Sequence, residues 1–333
     1  MIAKLLNRFT RLQSLTVSTG CPDFSNLIIT NKLPTHGSRL HSLDLSNCFD
    51  FSCLDSVDLS YSSIINDAVV ASVASSCPSL STIRLRHSCV TDEGINNLAT
   101  KLGRSLKWVD ILGCSQITDL GISHLSRNCR QLTALRITQC SKIVGASILG
   151  LPPTLVALHA GECAFDATRV SAGCLHGRGF LQFLDVSFPM NPNASLAFGF
   201  SATLKVLNLK RYLTVTDANI INISKGCPLL QEWNLSRCNR IRLLGWKSIA
   251  SHCQNLETLH VNRCVRFNDE SLLTIGKGCS RLSLIYVTIL FPDRHVPIGV
   301  TERGVISFKT QRPDVQIKVE EPLGFGLVHK GML

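Results

Sequence analysis

The sequence predicts an α/β solenoid, a stack of repeated units with parallel strands on a concave face and helices on a convex face. Two observations support this prediction. A leucine-centred pattern recurs between Leu54 and Leu282 at spacings of 26, 26, 26, 23, 26, 23, 26, 26 and 26 residues. Within each period, a short alternating segment typical of a strand precedes a segment with helical spacing. One unit alone cannot bury both its strand and its helix, so the units are expected to stack around a continuous core.

The strand half of each unit reads L-x-x-L-x-L-x-x-C. Its L-x-L alternation predicts a short strand with one buried face. The full pattern occurs as LKWVDILGC from Leu106, LTALRITQC from Leu132, LVALHAGEC from Leu155, LQEWNLSRC from Leu230 and LETLHVNRC from Leu256. Looser copies start at Leu12, Leu40, Leu54, Leu80, Leu181, Leu204 and Leu282.

The helix half of each unit begins at a polar residue followed by an acidic one. The polar side chain is expected to cap the helix, because its oxygen accepts from an unpaired N–H group of the first turn. The acidic residue places negative charge where the helix dipole is positive. The predicted caps are Thr91, Thr118, Thr216, Asn268 and Thr301, and the acidic residues that follow them are Asp92, Asp119, Asp217, Asp269 and Glu302.

The same pattern predicts the domain organisation. We expect one solenoid over residues 1–319 and a flexible tail over 320–333. Only 14 residues separate Leu40 from Leu54, which predicts an irregular stretch at 46–54. Gly- and Pro-rich segments break helical turns and predict a second irregular stretch at 163–203. A last strand at about 313–319 is expected to cover the open end of the stack.

The 26-residue period, the strand-end cysteine and the (I or V)-T-D-x-G helix start at Val90–Gly94 and Ile117–Gly121 resemble cysteine-containing leucine-rich repeats. They are most similar to the repeat region of plant F-box/leucine-rich-repeat proteins, over about residues 12–310. The resemblance implies a leucine-rich-repeat solenoid, or horseshoe, with ~26-residue repeats. It also implies substrate recognition for an SCF-type ubiquitin ligase, in protein ubiquitination and degradation.

No segment of the chain matches an F-box, because the repeats begin within the first dozen residues. We therefore expect binding to a SKP-type adaptor only if an F-box is supplied elsewhere. Two other functions stay open. One is a stand-alone repeat scaffold or regulatory protein, and the other is a ligand-sensing receptor module that binds a polyanion. The whole pattern indicates a protein-binding module.

Most cysteines occupy two positions of the repeat. Six fall at its ninth position and five fall three residues before the next first leucine, which accounts for eleven of the fifteen. This regularity predicts reduced cysteines that pack in buried turns. The one cluster outside that rule is His159, Cys163, Cys174 and His176, whose ligand types suit zinc but whose spacing matches no known zinc motif. We expect no metal and no cofactor.

Catalytic motifs are absent from the sequence. It contains no G-x-S-x-G, no phosphate-binding G-x-x-x-x-G-K and no H-E-x-x-H. It also lacks a run of about 18 apolar residues that could cross a membrane. We therefore expect a protein that is not an enzyme and that lies in the cytoplasm and/or the nucleus.

The positive charge of the chain is concentrated in its last third. There are 34 Lys and Arg residues against 23 Asp and Glu residues, a net charge of +11. Lys210, Arg211, Arg237 and Arg263 follow three successive strands, and neighbouring strands lie about 4.8 Å apart, so these cations are expected to form one stripe. Such a stripe is either a solvated rim or a binding site for an acidic or phosphorylated protein substrate. Nucleic acid is an improbable partner.

Large side chains at outward strand positions complete the expected binding surface. Trp108, Phe183 and Tyr286 are candidate anchors, because an aromatic side chain buries much area at low entropic cost. The alternative is contact with a neighbouring side chain. Arg136 and His260, at the centre of L-x-L in their units, are also expected to contact a partner on the concave face.

Overall fold

The computed structural model describes residues 14–16, 27–28, 42–44, 55–63, 65–165, 181–191, 202–289 and 299–319. The chain forms two compact units, Met1–Leu158 and His159–Leu333. The predicted irregular stretch at 46–54, most of the one at 163–203 and the tail at 320–333 lie outside the described residues. The single solenoid over 1–319 stays a prediction.

The strands are short and recur once in each repeat. They are β1 Ser14–Thr16, β2 Leu27–Ile28, β3 Ser42–Asp44, β4 Ser56–Asp58, β5 Thr82–Arg84, β6 Trp108–Asp110, β7 Ala134–Arg136, β8 Ala157–His159, β9 Phe183–Asp185, β10 Val206–Asn208, β11 Glu232–Asn234, β12 Thr258–His260, β13 Leu284–Tyr286 and β14 Gln316–Lys318.

In the first unit, β2, β4, β5, β6 and β7 pair in parallel in that order, and β1 pairs with β3. The second leucine position of the repeat is in register from strand to strand. Val57, Ile83, Val109 and Leu135 therefore form one buried column, each with 0–1% of its surface exposed.

In the second unit, β9 to β14 pair in parallel in chain order. The same leucine position forms a buried column of Leu184, Leu207, Trp233, Leu259 and Ile285. The strand β14 lies within the stretch where a capping strand was expected, and its residue Ile317 pairs with Ile285. Burial of the alternate positions leaves the residues between them on the opposite face of the sheet.

Helices follow the strands in most repeats. They are α1 Asp67–Ser76, α2 Asp92–Leu102, α3 Asp119–Asn128, α4 Asp217–Gly226, α5 Leu243–His252, α6 Asp269–Gly278 and α7 Glu302–Gln311. In the shorter repeat that starts at Leu132, a 3₁₀ turn at Ile148–Gly150 replaces the α-helix. Alternating strands and helices confirm the predicted α/β repeat architecture.

Most predicted helix caps are present. The side chains of Thr91, Thr118, Asn268 and Thr301 accept hydrogen bonds from backbone N–H groups at 3.2, 3.1, 3.0 and 3.1 Å. Thr216 differs, because its N–H and its hydroxyl both donate to Oδ1 of Asn219 at 2.9 Å. The first turn of α4 is therefore closed by the side chain of its third residue.

The acidic residue after each cap has a function that the sequence did not predict. Asp92 lies in the first turn of α2, but Oδ1 accepts from the N–H groups of Thr118 and Gly121, and Oδ2 accepts from the hydroxyl of Thr118. Asp67, Asp119, Asp217 and Asp269 accept in the same way from the next repeat. Each of these five aspartates thus fastens the start of the helical segment in the following repeat.

None of the helices in the described ranges has the length and apolar character needed to cross a membrane.

Candidate protein-binding surface

A turn of left-handed backbone follows each of the strands β4 to β12. Among the described residues, eight other than glycine have a positive φ of 50° to 64°, and Gly113 joins them at 70°. They all occupy the eighth position of the repeat, directly before the strand-end cysteine or its equivalent: Tyr61, His87, Gly113, Gln139, Glu162, Phe188, Arg211, Arg237 and Arg263. We call this set the turn column.

Backbone hydrogen bonds hold the turn column in place. The N–H groups of His87, Arg211 and Arg237 each donate at 2.8 Å to a carbonyl of the next repeat. The next residue often turns inward, as Cys238 does when its Sγ donates to the carbonyl of Leu209 at 3.2 Å. These contacts offset the cost of about 1–2 kcal/mol that the left-handed conformation imposes on a residue with a Cβ.

Three successive repeats of the second unit place arginine in the turn column. We call Arg211, Arg237 and Arg263 the arginine column. Arg211 and Arg263 are exposed and Arg237 is half-buried. Among the described residues, no acidic side chain forms an ion pair with any of the three. Parallel strands bring residues of neighbouring repeats to about 4.8 Å, so the column concentrates positive charge.

Further cations and one aromatic ring border the arginine column. Lys210 precedes Arg211, and Arg240 and Arg266 are exposed a few residues beyond the strands. The ring of Phe188 lies 5.7 Å from Nζ of Lys210 and 5.8 Å from Cζ of Arg211. The structure thus brings together the four cations that the sequence placed in one stripe. Their binding to a partner stays a prediction.

The first unit carries a separate arrangement of arginines on its sheet. Asp110 is fully buried, and its Oδ2 accepts from Nε of Arg86 at 2.7 Å. Arg136 places Nη1 3.5 Å from the same oxygen. Burial is the largest single influence and lowers the pKa of Arg86, but the hydrogen bonds and charge interactions with Asp110 and Tyr61 together raise that pKa above its usual value. The predicted contact residue Arg136 is therefore already engaged within the protein.

Among the described residues of the first unit, Trp108 and Tyr61 are the aromatic side chains with open surface. The guanidinium carbon of Arg84 lies 4.3 Å from the ring centroid of half-buried Trp108, within cation–π distance. Tyr61 is 52% exposed and stacks on His87 with ring centroids 5.2 Å apart. Trp108 is thus partly exposed with a cation already on one face, and its role as an anchor for a partner stays a prediction.

The other aromatic candidates differ from the expectation of open anchors. Phe183 keeps 3% of its surface exposed and Tyr286 keeps 8%. Phe183 packs on His159 at 4.3 Å, and Tyr286 stacks on His260 at 4.4 Å. Tyr286 is covered because β12 presents His260 at the same register, and Phe183 is covered by the ring of His159 from β8.

His260 is also buried, with 1% of its surface exposed, although the sequence placed it on the open face. Its Nε2 lies 2.9 Å from Oε1 of Glu232 on the adjacent strand. A role of Phe183, His260 and Tyr286 in partner binding stays a prediction, and it would require these side chains to be uncovered.

The candidate zinc cluster falls partly outside the described residues, because Cys174 and His176 are not among them. Within the described ranges, no three His, Cys, Asp or Glu side chains form a metal-binding group. The described cysteines are free thiols, and all but the exposed Cys89 are buried.

Two features of the surface escaped sequence reasoning. The Arg84–Trp108 pair unites residues 24 positions apart, and only the register of β5 and β6 makes them neighbours. The left-handed turn had one signal in the sequence. Gly113 stands directly before Cys114 at the turn-column position, where glycine is the residue that adopts positive φ most readily.

Comparisons with known proteins agree with the repeat pattern, although no family model matches the chain. F-box/LRR-repeat protein 12 of Arabidopsis thaliana is 33% identical over 235 residues, which cover 69% of this chain and 55% of that protein. F-box/LRR-repeat protein 4 of Bos taurus is 22% identical over 206 residues, covering 60% of this chain and 30% of that protein. The chain thus spans about half or less of these relatives.

A solved structure shares the fold at low sequence identity. A chain from the yeast complex of Rad7 and Elc1 superposes with a TM-score of 0.50 and 18% identity, covering 84% of this chain and 80% of that one. At this identity the likeness concerns the fold alone. It supports the leucine-rich-repeat solenoid that the sequence predicted.

Proposed function

Since the chain is a leucine-rich-repeat protein whose repeats are similar to those of F-box/LRR-repeat proteins, we propose that it recognises substrates for an SCF-type ubiquitin ligase. The sheet and the turns after it present the binding surface. The protein substrate carries an acidic or phosphorylated segment, which the arginine column contacts. The proposal places the chain in the cytoplasm and/or the nucleus, where such ligases act.

The arginine column is the observation that carries the proposed substrate chemistry. Three guanidinium groups stand side by side at a left-handed backbone position where the fold itself would favour glycine. They repel one another and lack ion-pair partners among the described residues. Each guanidinium offers parallel N–H donors that match a carboxylate or a phosphate. An anionic segment of the substrate would neutralise the positive charge of the arginine column without any change in the backbone of this protein.

Charge reversal tests the contact with the substrate. The variant Arg237→Glu with Arg263→Glu should lose the partners that the intact chain recovers from cell extract, as measured by quantitative mass spectrometry. The control, Lys225→Glu with Lys247→Glu, makes the same change of charge on exposed residues of α4 and α5. Both variants should keep the wild-type circular dichroism, because surface charge changes alter stability by about 0.5 kcal/mol or less. Equal recovery by the two variants would contradict the contact.

A reconstituted reaction tests the ligase role separately. The chain joined to an F-box, with a SKP-type adaptor, cullin, RING protein and E2, should ubiquitinate the recovered partners. The fusion that carries the Arg237 and Arg263 reversals should not. Partners that bind the chain but stay unmodified would favour a stand-alone scaffold instead. A stoichiometric complex of the unfused chain with the adaptor would show that the chain itself supplies the adaptor contact.

A further inference from the structure

We propose that the sheet of the first unit carries a second docking site, which takes an acidic protein segment with a carboxylate next to an aromatic side chain. The site consists of Arg84, Trp108, Arg86, Tyr61 and His87, and we call it the Arg84–Trp108 site. It lies in the first unit, whereas the arginine column lies in the second. The inference does not depend on a role in ubiquitination.

Arg84 is the cation of this site that forms no ion pair within the described residues. It stands between Asp58 and Asp110 in the register of β4, β5 and β6. Asp110 is occupied by Arg86 and Arg136, and Oδ1 of Asp58 accepts from the N–H and hydroxyl of Ser60 at 3.1 and 2.6 Å. Within the part of the chain that the structure describes, Arg84 has a cation–π contact but neither an ion pair nor a hydrogen bond. A carboxylate is the group that would satisfy its N–H donors.

The guanidinium of Arg84 is positioned for such a contact by the ring of Trp108. Stacking on Trp108 at 4.3 Å restricts the long side chain, and the N–H donors of a stacked guanidinium lie in its plane, clear of the ring. Binding of a partner therefore costs little side-chain entropy at Arg84, because this side chain is already ordered. An ordered contact residue lowers the entropic cost of association.

Further aromatic side chains of the site supply apolar contact. Tyr61 is 52% exposed and is supported by His87, whose ring packs over Gly113 so closely that a Cβ there would lie 2.3 Å from it. The side chain of Arg86 interacts with Tyr61 and with Asp110, which links the aromatic pair to the buried carboxylate. Tyrosine, tryptophan and arginine are the residues most often found at interface hot spots.

The charge of the site selects the partner. Three guanidinium groups, of Arg84, Arg86 and Arg136, share the sheet with two carboxylates, of Asp58 and Asp110. The surplus is positive, because Arg86 and Arg136 both face the one carboxylate of Asp110 and Arg84 forms no ion pair within the described residues. A basic segment would meet this surplus with like charge, whereas an acidic one would neutralise it.

Tryptophan fluorescence gives the site its own readout. The chain has three tryptophans, and Trp233 and Trp246 have no exposed surface, so acrylamide should quench Trp108 selectively. The probe is a random copolymer of glutamate and phenylalanine added to the full chain. Bound copolymer should protect Trp108 from acrylamide, and a lysine and phenylalanine copolymer should not. The variant Trp108→Phe should abolish the quenchable signal and thereby assign it.

Substitutions at Arg84 test how much this side chain contributes to copolymer binding. Arg84→Ala should weaken copolymer binding about tenfold or more, the loss expected for a hot-spot side chain. Arg84→Lys keeps the positive charge but not the planar guanidinium with its parallel N–H donors, so this variant should lose part of the copolymer affinity. The matched control Arg104→Ala removes an exposed cation of the same unit and should bind as the wild type does. Circular dichroism of each variant checks that the fold is kept.

Three results would overturn the proposal: no protection of Trp108 at saturating copolymer, equal binding by the Arg84→Ala and Arg104→Ala variants, or protection by the lysine copolymer. The Arg237→Glu, Arg263→Glu variant separates this site from the proposed substrate contact. It should lose partners from cell extract but keep the copolymer-dependent protection of Trp108. Loss of that protection in this variant would place copolymer binding at the arginine column instead.

Discussion

Oδ2 of Asp92 accepts a hydrogen bond from the hydroxyl of Thr118 at 2.7 Å, across one repeat of 26 residues. Its Oδ1 accepts from the backbone N–H of Thr118 at 2.8 Å and of Gly121 at 3.0 Å. The Asp92 carboxylate therefore caps α3, the helix of the next repeat, although Asp92 is itself the first residue of α2. Because equivalent aspartates recur along the chain, the helices are fastened to one another in series.

We expect Asp92→Ala to lower the free energy of unfolding by about 1–3 kcal/mol, because backbone donors at the start of α3 lose a charged acceptor. Asp92→Asn keeps one acceptor oxygen and should cost less. Urea unfolding followed by circular dichroism measures both. The neighbouring Glu93→Ala is the control, since Glu93 is exposed and its side chain has no hydrogen bond in the described part of the chain. A loss no larger than that of Glu93→Ala would contradict the role of Asp92.

Gly121 is required by the same contact. A Cβ at this residue would lie 2.5 Å from Oδ1 of Asp92 and 2.9 Å from Cγ2 of Ile117, so Gly121→Ala forces the carboxylate out of place. Overpacking of this kind costs about 1–3 kcal/mol. Gly226→Ala is the matched control, because no heavy atom lies within 4 Å of the Cβ it would add. Thermal unfolding of the two variants should differ clearly, and equal melting temperatures would disprove the steric argument.

The cysteines should behave as reduced, structural thiols. Among the described cysteines, Cys89 is exposed and should react with a thiol reagent in the native protein. Buried ones such as Cys129 and Cys227 should react only after denaturation, because access and ionisation both require exposure to water. Mass spectrometry of labelled peptides identifies each site. Stable disulfides in the native protein, or labelling of Cys227 as fast as Cys89, would disprove this prediction.

Stability should fall in alkaline solution. Burial raises the pKa of Cys129, Cys227 and Cys279 from 9.0 to about 12. The folded state keeps these thiols protonated while the unfolded state releases its protons from about pH 9 upward. Their contribution is thus complete below pH 9 and is lost progressively toward pH 12. Urea unfolding at increasing pH measures the decline, which should be shallower in a variant with alanine at all three positions. An unchanged slope in that variant would contradict the assignment.

The repeat period predicted the strands and most helices, because leucines at a fixed spacing can all be buried in only a few arrangements of the chain. The helix after Leu132 is an exception. That repeat is three residues shorter than most, and the segment closes as a 3₁₀ turn at Ile148–Gly150. The function of Asp92 could not be predicted from its own helix, since its hydrogen-bond partners belong to the next repeat.

The sequence by itself determined the repeat, the buried columns and the line of cations after the strands, because these depend on local spacing along the chain. Only the tertiary structure decided which side chains stay open. Phe183 and Tyr286 lie at outward positions like Trp108, yet each is covered by a histidine ring of the adjacent strand, whereas Trp108 receives Arg84 and stays half-exposed. The physical reason is packing between neighbouring strands. Strand register brings together residues more than twenty positions apart, and their contacts decide which side-chain surface stays exposed for a partner.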